Sequence, residues 1–199
     1  MGLIGIVDYG AGNLMSVTNA LNFLGLSHRI LRTPAELEEA DKIILPGVGA
    51  FPACADALAA SGFAAALKET EKPFLGICVG MQLLFELGLE MRETSGLGRI
   101  GGQVRKIKTD FKLPQIGWNS LSIKRPSPLL VGVRDGAYAY FVHSYCAEPV
   151  DPASVVAFTE YGEAIPAVVQ NGRVFGCQFH PEKSGEAGLR ILRNFGELQ

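Results

Sequence analysis

Short apolar segments that alternate with helical patterns through the first half of the chain constrain its fold more than any other feature. The predicted strands are 3–8, 28–32, 42–46 and 73–77. The predicted helices are 13–24, 36–40, 53–68 and a segment just after residue 78 that carries Met81, Leu84, Phe85 and Leu87. Strands that alternate with helices in this way indicate βαβ units and a parallel sheet. Because the strands are apolar almost throughout, we expect an α/β fold with helices on both faces of a mostly parallel central sheet.

The second half of the chain has a different pattern, in which Gly and Pro separate short strand-like segments. These segments are 102–108, 116–123, 137–146, 154–159, 165–170 and 173–179, and a last helix is predicted at 185–197. We expect the strands to be antiparallel and to extend or flank the central sheet. The chain has 199 residues, of which 48% are hydrophobic, and it shows no internal repeat or evident linker. We therefore expect one domain over residues 1–199.

Composition and charge exclude several classes of function. The net charge is −2 and no cluster of Lys and Arg stands out, so a nucleic-acid-binding surface is not expected. No segment approaches the roughly 18 apolar residues of a membrane span, and the N-terminus lacks the pattern of a secretory signal. The four cysteines, at 54, 78, 146 and 177, form no CxxC pair. We expect a reduced, cytoplasmic protein with neither a metal site nor a cofactor.

The sharpest local motif is Gly76-Ile77-Cys78-Val79-Gly80, which joins the fourth predicted strand directly to a helix. A strand, a tight turn and a helix around a nucleophile form a nucleophile elbow, here with Cys in place of Ser. The glycines allow the turn and a close approach of backbone to substrate. The helix N-terminus lowers the pKa of the thiol, and the Val79 N–H is placed to stabilise an oxyanion. The alternative is that Cys78 is only a small buried apolar residue.

A thiolate nucleophile needs a base, and the sequence offers His28, His143 and His180. His180 is favoured because Glu182 lies two residues further on, and alternate side chains of an extended segment project to the same side. Glu182 can then fix the tautomer of His180 and stabilise its imidazolium form. His143 is the rival base but has no acid at that spacing, and His28 is interpreted as a partly exposed strand residue.

A second oxyanion donor is predicted in Pro46-Gly47-Val48-Gly49, which follows the third strand. Ligands of parallel sheets gather outside the carboxyl ends of the strands, where Cys78 also lies. An ordinary Gly-rich turn is the alternative. Neither GxG sequence in the first 50 residues extends to GxGxxG, and the chain has no phosphate-loop, GxSxG or HExxH motif. NAD, ATP and metalloprotease functions are therefore not indicated.

Several of these motifs, taken in their order along the chain, resemble those of the class I (triad) glutamine amidotransferases. They are PGVGAF at 46–51, GICVGMQ at 76–82 and QFHPEKS at 178–184. Further segments are similar to the glutaminase subunits of imidazole glycerol phosphate synthases, which act in histidine biosynthesis. These are VDYGAGNL at 7–14, IGWN at 116–119 and YFVHSY at 140–145. The resemblance implies a flavodoxin-like amidotransferase fold with added antiparallel strands in the second half.

The resemblance also implies a role for each residue of the triad motifs. Cys78 attacks the carboxamide of glutamine and forms a glutamyl thioester. His180 protonates the departing ammonia and then activates water, and Glu182 orients His180. The implied oxyanion hole combines the Val79 N–H with the Val48–Gly49 peptide, which in this family can reorient before it donates. The residues that match those holding the amino acid end of glutamine are Gln82, Ser144 and Tyr145.

The partner that the resemblance implies is a (β/α)8-barrel cyclase subunit, through which ammonia travels to a phosphoribulosyl aminoimidazole carboxamide nucleotide. The products are imidazole glycerol phosphate and an aminoimidazole carboxamide ribotide. The positions that match the family's interface are Asn13, Trp118, Tyr140 and Lys183. Trp118 and Tyr140 could instead be core aromatics. Two other functions stay open: a glutaminase that serves another acceptor, such as the pyridoxal phosphate synthase subunit, and a catalytically silent interaction subunit.

Overall fold

The computed structural model describes residues 2–198 and contains, within that range, fourteen strands and five α-helices. The strands are β1 (Ile4–Val7), β2 (His28–Leu31), β3 (Lys42–Gly47), β4 (Phe74–Cys78), β5 (Phe85–Gly88), β6 (Thr94–Ser95), β7 (Ile100–Lys106), β8 (Gln115–Ser120), β9 (Ser122–Ile123), β10 (Tyr138–His143), β11 (Tyr145–Pro149), β12 (Val155–Glu160), β13 (Ala164–Asn171) and β14 (Val174–Cys177). The helices are α1 (Leu14–Phe23), α2 (Phe51–Ala60), α3 (Phe63–Glu69), α4 (Val79–Gln82) and α5 (Gly185–Glu197). Short 3-10 turns occur at Pro34–Glu39, Pro128–Leu130, Pro152–Ser154 and Pro181–Lys183.

The largest sheet has the strand order β2-β1-β3-β4-β14-β13-β12-β9. Its strands from β2 to β14 run parallel, and β13, β12 and β9 extend it in antiparallel fashion. Every residue of β1, β3 and β4 is buried, as expected for strands that are covered on both faces. The predicted α/β fold with a mostly parallel sheet is confirmed. In the register of β3 and β4, Gly47 lies beside Cys78, so the two predicted oxyanion segments meet at one edge.

The remaining strands form two smaller antiparallel or mixed units beside the large sheet. The order β11-β7-β5-β6 makes a flanking sheet, in which β5 and β7 are parallel and the other pairs antiparallel. Strands β8 and β10 pair antiparallel, and we call this pair the ribbon. The second half of the chain therefore both extends and flanks the central sheet, as its pattern of short strands predicts.

An ion-pair network joins the flanking sheet to the β12–β13 hairpin. Arg105 in β7 makes a bidentate pair with Glu163 in the hairpin turn, with N–O distances of 2.7 and 2.8 Å. The Arg105 Nε atom also donates to Glu148 of β11 at 2.7 Å. Because the Arg105 and Glu163 side chains are only 17% and 21% exposed, water screens this pair incompletely. The network therefore fixes the segment after β7 against the large sheet.

The helix predicted to carry Met81, Leu84, Phe85 and Leu87 is wrong beyond its first turn. Helix α4 ends at Gln82, and the chain enters β5 at Phe85. A short apolar stretch such as Met81 to Phe85 fits a buried helix and a buried strand equally well, so periodicity cannot separate them. The strand prevails because β5 pairs with β6 and β7, partners that lie outside the segment whose periodicity is being interpreted.

The Ala-rich helix predicted at 53–68 is interrupted. Helix α2 ends at Ala60 and α3 begins at Phe63, with Gly62 between them at a φ of 79°. Glycine adopts this left-handed conformation without the steric cost that a Cβ imposes. The last predicted helix, 185–197, coincides with α5.

Candidate active site

The backbone at Cys78 has the sharp bend that the GxCxG motif predicts. Cys78 ends β4 and precedes α4, and its φ of 55° lies in the left-handed region that residues with a side chain rarely adopt. A Cβ at Gly80 would overlap the Leu45 carbonyl oxygen, so only glycine lets the helix start this close to β3. Helix α4 has a single turn, and its dipole acts on Cys78 correspondingly weakly.

A cavity of about 270 Å³ opens at this bend. The predicted site residues that line it are Val48, Gly49, Cys78, Val79, Gln82, Ser144, Tyr145 and His180. They come from the large sheet, the flanking sheet and the ribbon's end, so long-range folding assembles the cavity. A cavity of this volume can hold a small ligand such as a single amino acid.

His180 and Glu182 form a buried pair at the cavity. The Nδ1 atom of His180 and Oε1 of Glu182 are 2.8 Å apart, and the two side chains are 3% and 1% exposed. The expected extended segment is only partly correct, because the 3-10 turn Pro181–Lys183 follows His180 at once. The turn brings the carboxylate back to the ring and thereby produces the contact that the spacing predicts.

The charge state of His180 follows from its two neighbours. Burial alone lowers the pKa of His180, but contacts with Cys78 and Glu182 outweigh it and raise that pKa from 6.5 to about 10. Because Glu182 occupies Nδ1, the ring nitrogen left for Cys78 is Nε2, which is buried and has no hydrogen-bond partner among residues 2–198. His180 is therefore able to carry a proton at neutral pH, with Nε2 as the nitrogen that remains available to Cys78.

His143, the rival base, has the opposite electrostatics. Burial lowers its pKa to about 4, the Tyr145 carbonyl opposes that change, and His180 adds to it. Its Nδ1 lies 2.8 Å from the Tyr145 carbonyl oxygen, which can only accept, so Nδ1 carries the proton. No acid contacts His143 among the described residues, whereas His180 has Glu182. The geometry therefore favours His180 as the base. His28 lies apart, with its Nδ1 2.9 Å from the Leu26 carbonyl.

Gln82 is anchored at the inner wall of the cavity. Its amide nitrogen donates to the Tyr145 carbonyl at 3.0 Å and to Gln178 Oε1 at 3.1 Å. Both amide hydrogens are therefore used, and the Oε1 atom is the part of Gln82 that can accept from a ligand. Ser144 lies between His143 and Tyr145 at the cavity wall, where its own carbonyl accepts from the Ile107 N–H at 3.0 Å.

Comparison with known proteins assigns this site to a family. A sequence model of the family "Glutamine amidotransferase class-I" matches residues 5–197. The chain is a class-I glutamine amidotransferase. Its curated relatives include an imidazole glycerol phosphate synthase subunit HisH from Caldanaerobacter subterraneus subsp. tengcongensis, 50% identical over 98% of both chains. The protein of the same name from Bacillus cereus is 47% identical over 97% of this chain and 93% of its own.

Solved structures share the fold of this amidotransferase at low sequence identity. A crystal structure described as a glutamine amidotransferase has a TM-score of 0.75 at 20% identity, covering 97% of this chain and 98% of its own. PurLQS from Thermotoga maritima has a TM-score of 0.74 at 20% identity, covering 98% of both chains. At these identities the similarity establishes the fold alone.

Besides Val142, two cavity residues of the amidotransferase were missed by the sequence reasoning. Glu90 lines the cavity, and its Oε2 accepts the Phe51 N–H at 2.7 Å. Pro114, which follows a cis peptide bond, also lines the cavity. Both lie in connections between strands, outside any motif. The sequence signal that could have identified Glu90 is that it is an acidic residue a short distance after the turn at Cys78.

The ribbon presents an apolar face beside the cavity mouth. Alternate residues of β8 and β10 share this face, and its most exposed members are Ile116, Trp118 and Tyr138. Trp118 is 54% exposed, so it is not a core aromatic, and its ring meets that of half-buried Tyr140 with centroids 6.0 Å apart. Such a contiguous exposed apolar surface is typical of an interaction site.

The ribbon is hydrogen-bonded to the backbone around His180. The Tyr140 carbonyl accepts the His180 N–H at 3.0 Å. The Tyr140 N–H donates to the Ser184 hydroxyl at 3.0 Å, and that hydroxyl donates to the His180 carbonyl at 2.6 Å. Of the other predicted interface residues, Asn13 caps α1 by accepting the Ser16 N–H, and exposed Lys183 lies in the turn after His180.

The other cysteines are buried thiols of low reactivity. Burial raises the pKa of Cys146 to about 12 and raises the pKa values of Cys54 and Cys177 as well. Within residues 2–198 no group of three or more His, Cys, Asp or Glu side chains is placed to hold a metal ion. No helix in that range is long and apolar enough to cross a membrane.

Proposed function

We propose that this chain hydrolyses L-glutamine to L-glutamate and ammonia and that it is the glutaminase subunit of an imidazole glycerol phosphate synthase. The observation that carries the proposal is the buried pair of His180 and Glu182, 2.8 Å apart, beside a cysteine held at a strained bend. The relatives named above support the choice of synthase, since they match over almost the whole chain. The chain acts as one amidotransferase domain over residues 1–199.

In the first half of the reaction, the Cys78 thiolate attacks the carboxamide carbon of glutamine. The carbonyl oxygen becomes an oxyanion, which the Val79 N–H and the Val48–Gly49 peptide stabilise. The imidazolium of His180 then donates its proton to the nitrogen, and the C–N bond breaks. Ammonia departs, and a glutamyl thioester remains on Cys78.

In the second half, neutral His180 accepts a proton from water as the water oxygen attacks the thioester carbon. The C–S bond breaks, glutamate leaves, and the thiolate–imidazolium pair is restored. Glu182 takes up no proton in either step. It holds the Nδ1–H of His180, so that Nε2 faces Cys78 in both charge states.

The polar end of glutamine is held at the wall formed by Gln82, Ser144 and Tyr145. Gln82 Oε1 accepts from the α-ammonium group, since its amide nitrogen is already bonded. Glu90 supplies the negative charge that an α-ammonium group needs, with one carboxylate oxygen anchored by the Phe51 N–H.

The partner is a (β/α)8-barrel cyclase subunit that binds the apolar face of the ribbon in a heterodimer. Its contacts on this chain are Asn13, Trp118, Tyr140 and Lys183. Ammonia passes into the barrel and reacts with the nucleotide there, giving imidazole glycerol phosphate and an aminoimidazole carboxamide ribotide in the cytoplasm. A sealed contact suits this chemistry, because ammonia that escapes to water is protonated and lost as a nucleophile.

The test measures glutamate release by the purified chain alone, with a cognate cyclase, and with the cyclase and its nucleotide ligand. Strong activation by the last combination is the expected result. High activity that does not depend on the cyclase would support the glutaminase activity but contradict the partner assignment. That result is expected of a chain that serves another acceptor. No activity with Cys78 reduced and the cyclase bound would favour a catalytically silent role.

A second experiment identifies the nucleophile. Diazo-oxo-norleucine, a glutamine analogue with an electrophilic carbon, should label Cys78 alone, as read by peptide mass spectrometry. The thiols of Cys54, Cys146 and Cys177 should stay unlabelled, because their raised pKa values keep them protonated. If any of these three cysteines is labelled before Cys78, the assignment of Cys78 as the nucleophile is wrong.

A further inference from the structure

The hydroxyl of Ser184 joins two segments that meet beside the cavity. Ser184 is 1% exposed and comes directly after the 3-10 turn Pro181–Lys183. Its Oγ accepts the Tyr140 N–H at 3.0 Å and donates to the His180 carbonyl at 2.6 Å. One side chain therefore contacts both strand β10 of the ribbon and the backbone of the candidate base.

Tyr140 and His180 form a backbone pair in which only one of two hydrogen bonds is direct. The His180 N–H donates to the Tyr140 carbonyl at 3.0 Å. In a hydrogen-bonded pair of an antiparallel sheet, the two residues exchange both N–H···O bonds. Here the second connection runs through the Ser184 hydroxyl, which bridges the Tyr140 N–H and the His180 carbonyl. The hydroxyl thus acts as a spacer that sets how far this carbonyl lies from β10.

A helix-capping role does not account for the Ser184 hydroxyl. Ser184 occupies the N-cap position of α5, where a serine side chain usually accepts a backbone N–H from the first turn of the helix. Its side chain makes no such bond to α5. The group that could stabilise the helix end is used instead to connect the ribbon with His180.

The backbone of Ser184 is itself held on both sides. Its N–H donates to the Pro181 carbonyl at 3.1 Å, and its carbonyl accepts the Gly188 N–H at 3.2 Å. Helix α5 packs closely against this turn, since a Cβ on Gly188 would lie 1.9 Å from the Pro181 carbonyl oxygen and 2.8 Å from the Ser184 Cβ. The hydroxyl therefore extends from a tightly packed helix end, against which the ribbon and His180 are both placed.

We propose that Ser184 is a positioning residue, whose hydroxyl fixes the His180 backbone against the ribbon and thereby keeps the His180 ring beside Cys78. The consequence for glutamine hydrolysis rests on the proposed function, whereas the positioning of the ring does not. Ser184 does not line the cavity, so it acts on the reaction only through His180. Because His180 and Glu182 belong to one short segment, the hydroxyl places both members of the buried pair.

Removal of the hydroxyl has a defined structural consequence. The His180 carbonyl keeps one partner, the Lys183 N–H at 3.0 Å, but the Tyr140 N–H loses its acceptor. That N–H then stays without a protein partner, or it closes directly onto the His180 carbonyl and draws the segment toward β10. In both cases the ring loses its fixed place beside Cys78.

The experiment compares the wild type with Ser184→Ala, Ser184→Thr and, as a matched control, Ser154→Ala. Ser154 is also buried, at 7% exposure, and its hydroxyl donates to the Asp151 carbonyl at 2.7 Å, but it does not line the cavity. Two readouts need no turnover: the hydrogen-exchange rate of the Tyr140 amide and the NMR resonances of the His180 ring. The third readout is kcat and KM for glutamate release with the cyclase, and thermal unfolding reports stability.

In Ser184→Ala we expect faster exchange of the Tyr140 amide, a shifted His180 ring resonance and a kcat about tenfold lower, with KM within about twofold. Ser184→Thr keeps the hydroxyl and should retain the wild-type values. Ser154→Ala should lower the melting temperature about as much as Ser184→Ala, because it also loses a buried hydroxyl. It should leave the exchange rate, the ring resonance and kcat unchanged.

An unmoved His180 resonance in Ser184→Ala would overturn the proposal, as would an equal loss of kcat in Ser154→Ala. Equal effects of Ser184→Ala and Ser184→Thr would assign the change to packing and overturn it too. If the wild type releases no glutamate with its cyclase, the proposed function fails, and the Tyr140 exchange rate and His180 resonance then decide the positioning role. Should Ser184→Ala not fold, Ser184→Cys carries the same comparison, because a thiol is a weaker donor and acceptor than a hydroxyl.

Discussion

Replacing Glu182 by glutamine tests how much the carboxylate contributes to the reactive form of His180. The substitution keeps the size of the side chain and an oxygen for the Nδ1–H of His180, and it removes the charge. In the wild type the pKa of His180 rises from 6.5 to about 10, although burial works against it. That difference of about 3.5 units corresponds to about 5 kcal/mol in favour of the imidazolium, since one unit is about 1.36 kcal/mol.

Cys78 and Glu182 share this stabilisation. If each carries about half, Glu182→Gln costs about 2 kcal/mol in forming the thiolate–imidazolium pair, which lowers kcat for glutamate release about 30-fold. The pH profile should move as well. The first step needs protonated His180, so activity is lost as the pH rises through the pKa of that residue.

The alkaline limb should therefore move from near pH 10 in the wild type to about pH 8 in Glu182→Gln, a shift of about two units toward neutral. Glu186→Gln is the matched control, because Glu186 is an exposed carboxylate in the first turn of α5 and should change neither quantity. The assay is steady-state glutamate release with the cyclase, over a pH range that extends from about 6 to about 11. A Glu182→Gln enzyme with an unmoved limb and a kcat within about twofold of the wild type would refute this reasoning.

Further predictions concern the rival base, the ribbon and the ion-pair network. His143→Ala should keep kcat within about tenfold of the wild type, because the low pKa of His143 leaves it without a proton to donate. His180→Ala should abolish turnover. The reverse result would show that His143 is the base. Trp118→Ala should weaken cyclase binding about 30-fold in titration calorimetry, as for an exposed aromatic anchor, without changing the melting temperature; unchanged affinity would remove Trp118 from the interface. Glu163→Gln should lower the free energy of unfolding in urea by about 1–3 kcal/mol, because Arg105 loses its charged partner. Hydrogen bonding to Arg105 holds the pKa of Glu163 below 4.5, so this stability is present above pH 4.5 and is lost as the pH falls through the lowered pKa; equal acid sensitivity in Glu163→Gln would contradict that account.

The parallel half of the fold could be predicted from the sequence because its signals are local. Strands β1, β3 and β4 are apolar segments that end at a turn, and Cys78 lies where β4 meets α4. The pairing of His180 with Glu182 is also local, although a 3-10 turn rather than an extended segment produces it. Such features need only a few neighbouring residues to be recognised.

The rest of the site depends on contacts between distant segments, which no short pattern encodes. Glu90 reaches the cavity because β5 joins the flanking sheet, and the helix expected through Phe85 hides that path. Gln82 is anchored by the Tyr145 carbonyl and by Gln178, which lie 63 and 96 positions away along the chain.

The hydrogen bond between the Tyr140 carbonyl and the His180 N–H has a thermodynamic consequence for the proposed complex. It joins the ribbon to the residue that handles the proton, so a change of geometry at either end is felt at the other. Any factor by which ribbon occupancy alters the affinity for glutamine must reappear, unchanged, as the factor by which glutamine alters the affinity for the partner. Wherever that factor differs from one, the fraction of the enzyme that is assembled depends on the concentration of glutamine.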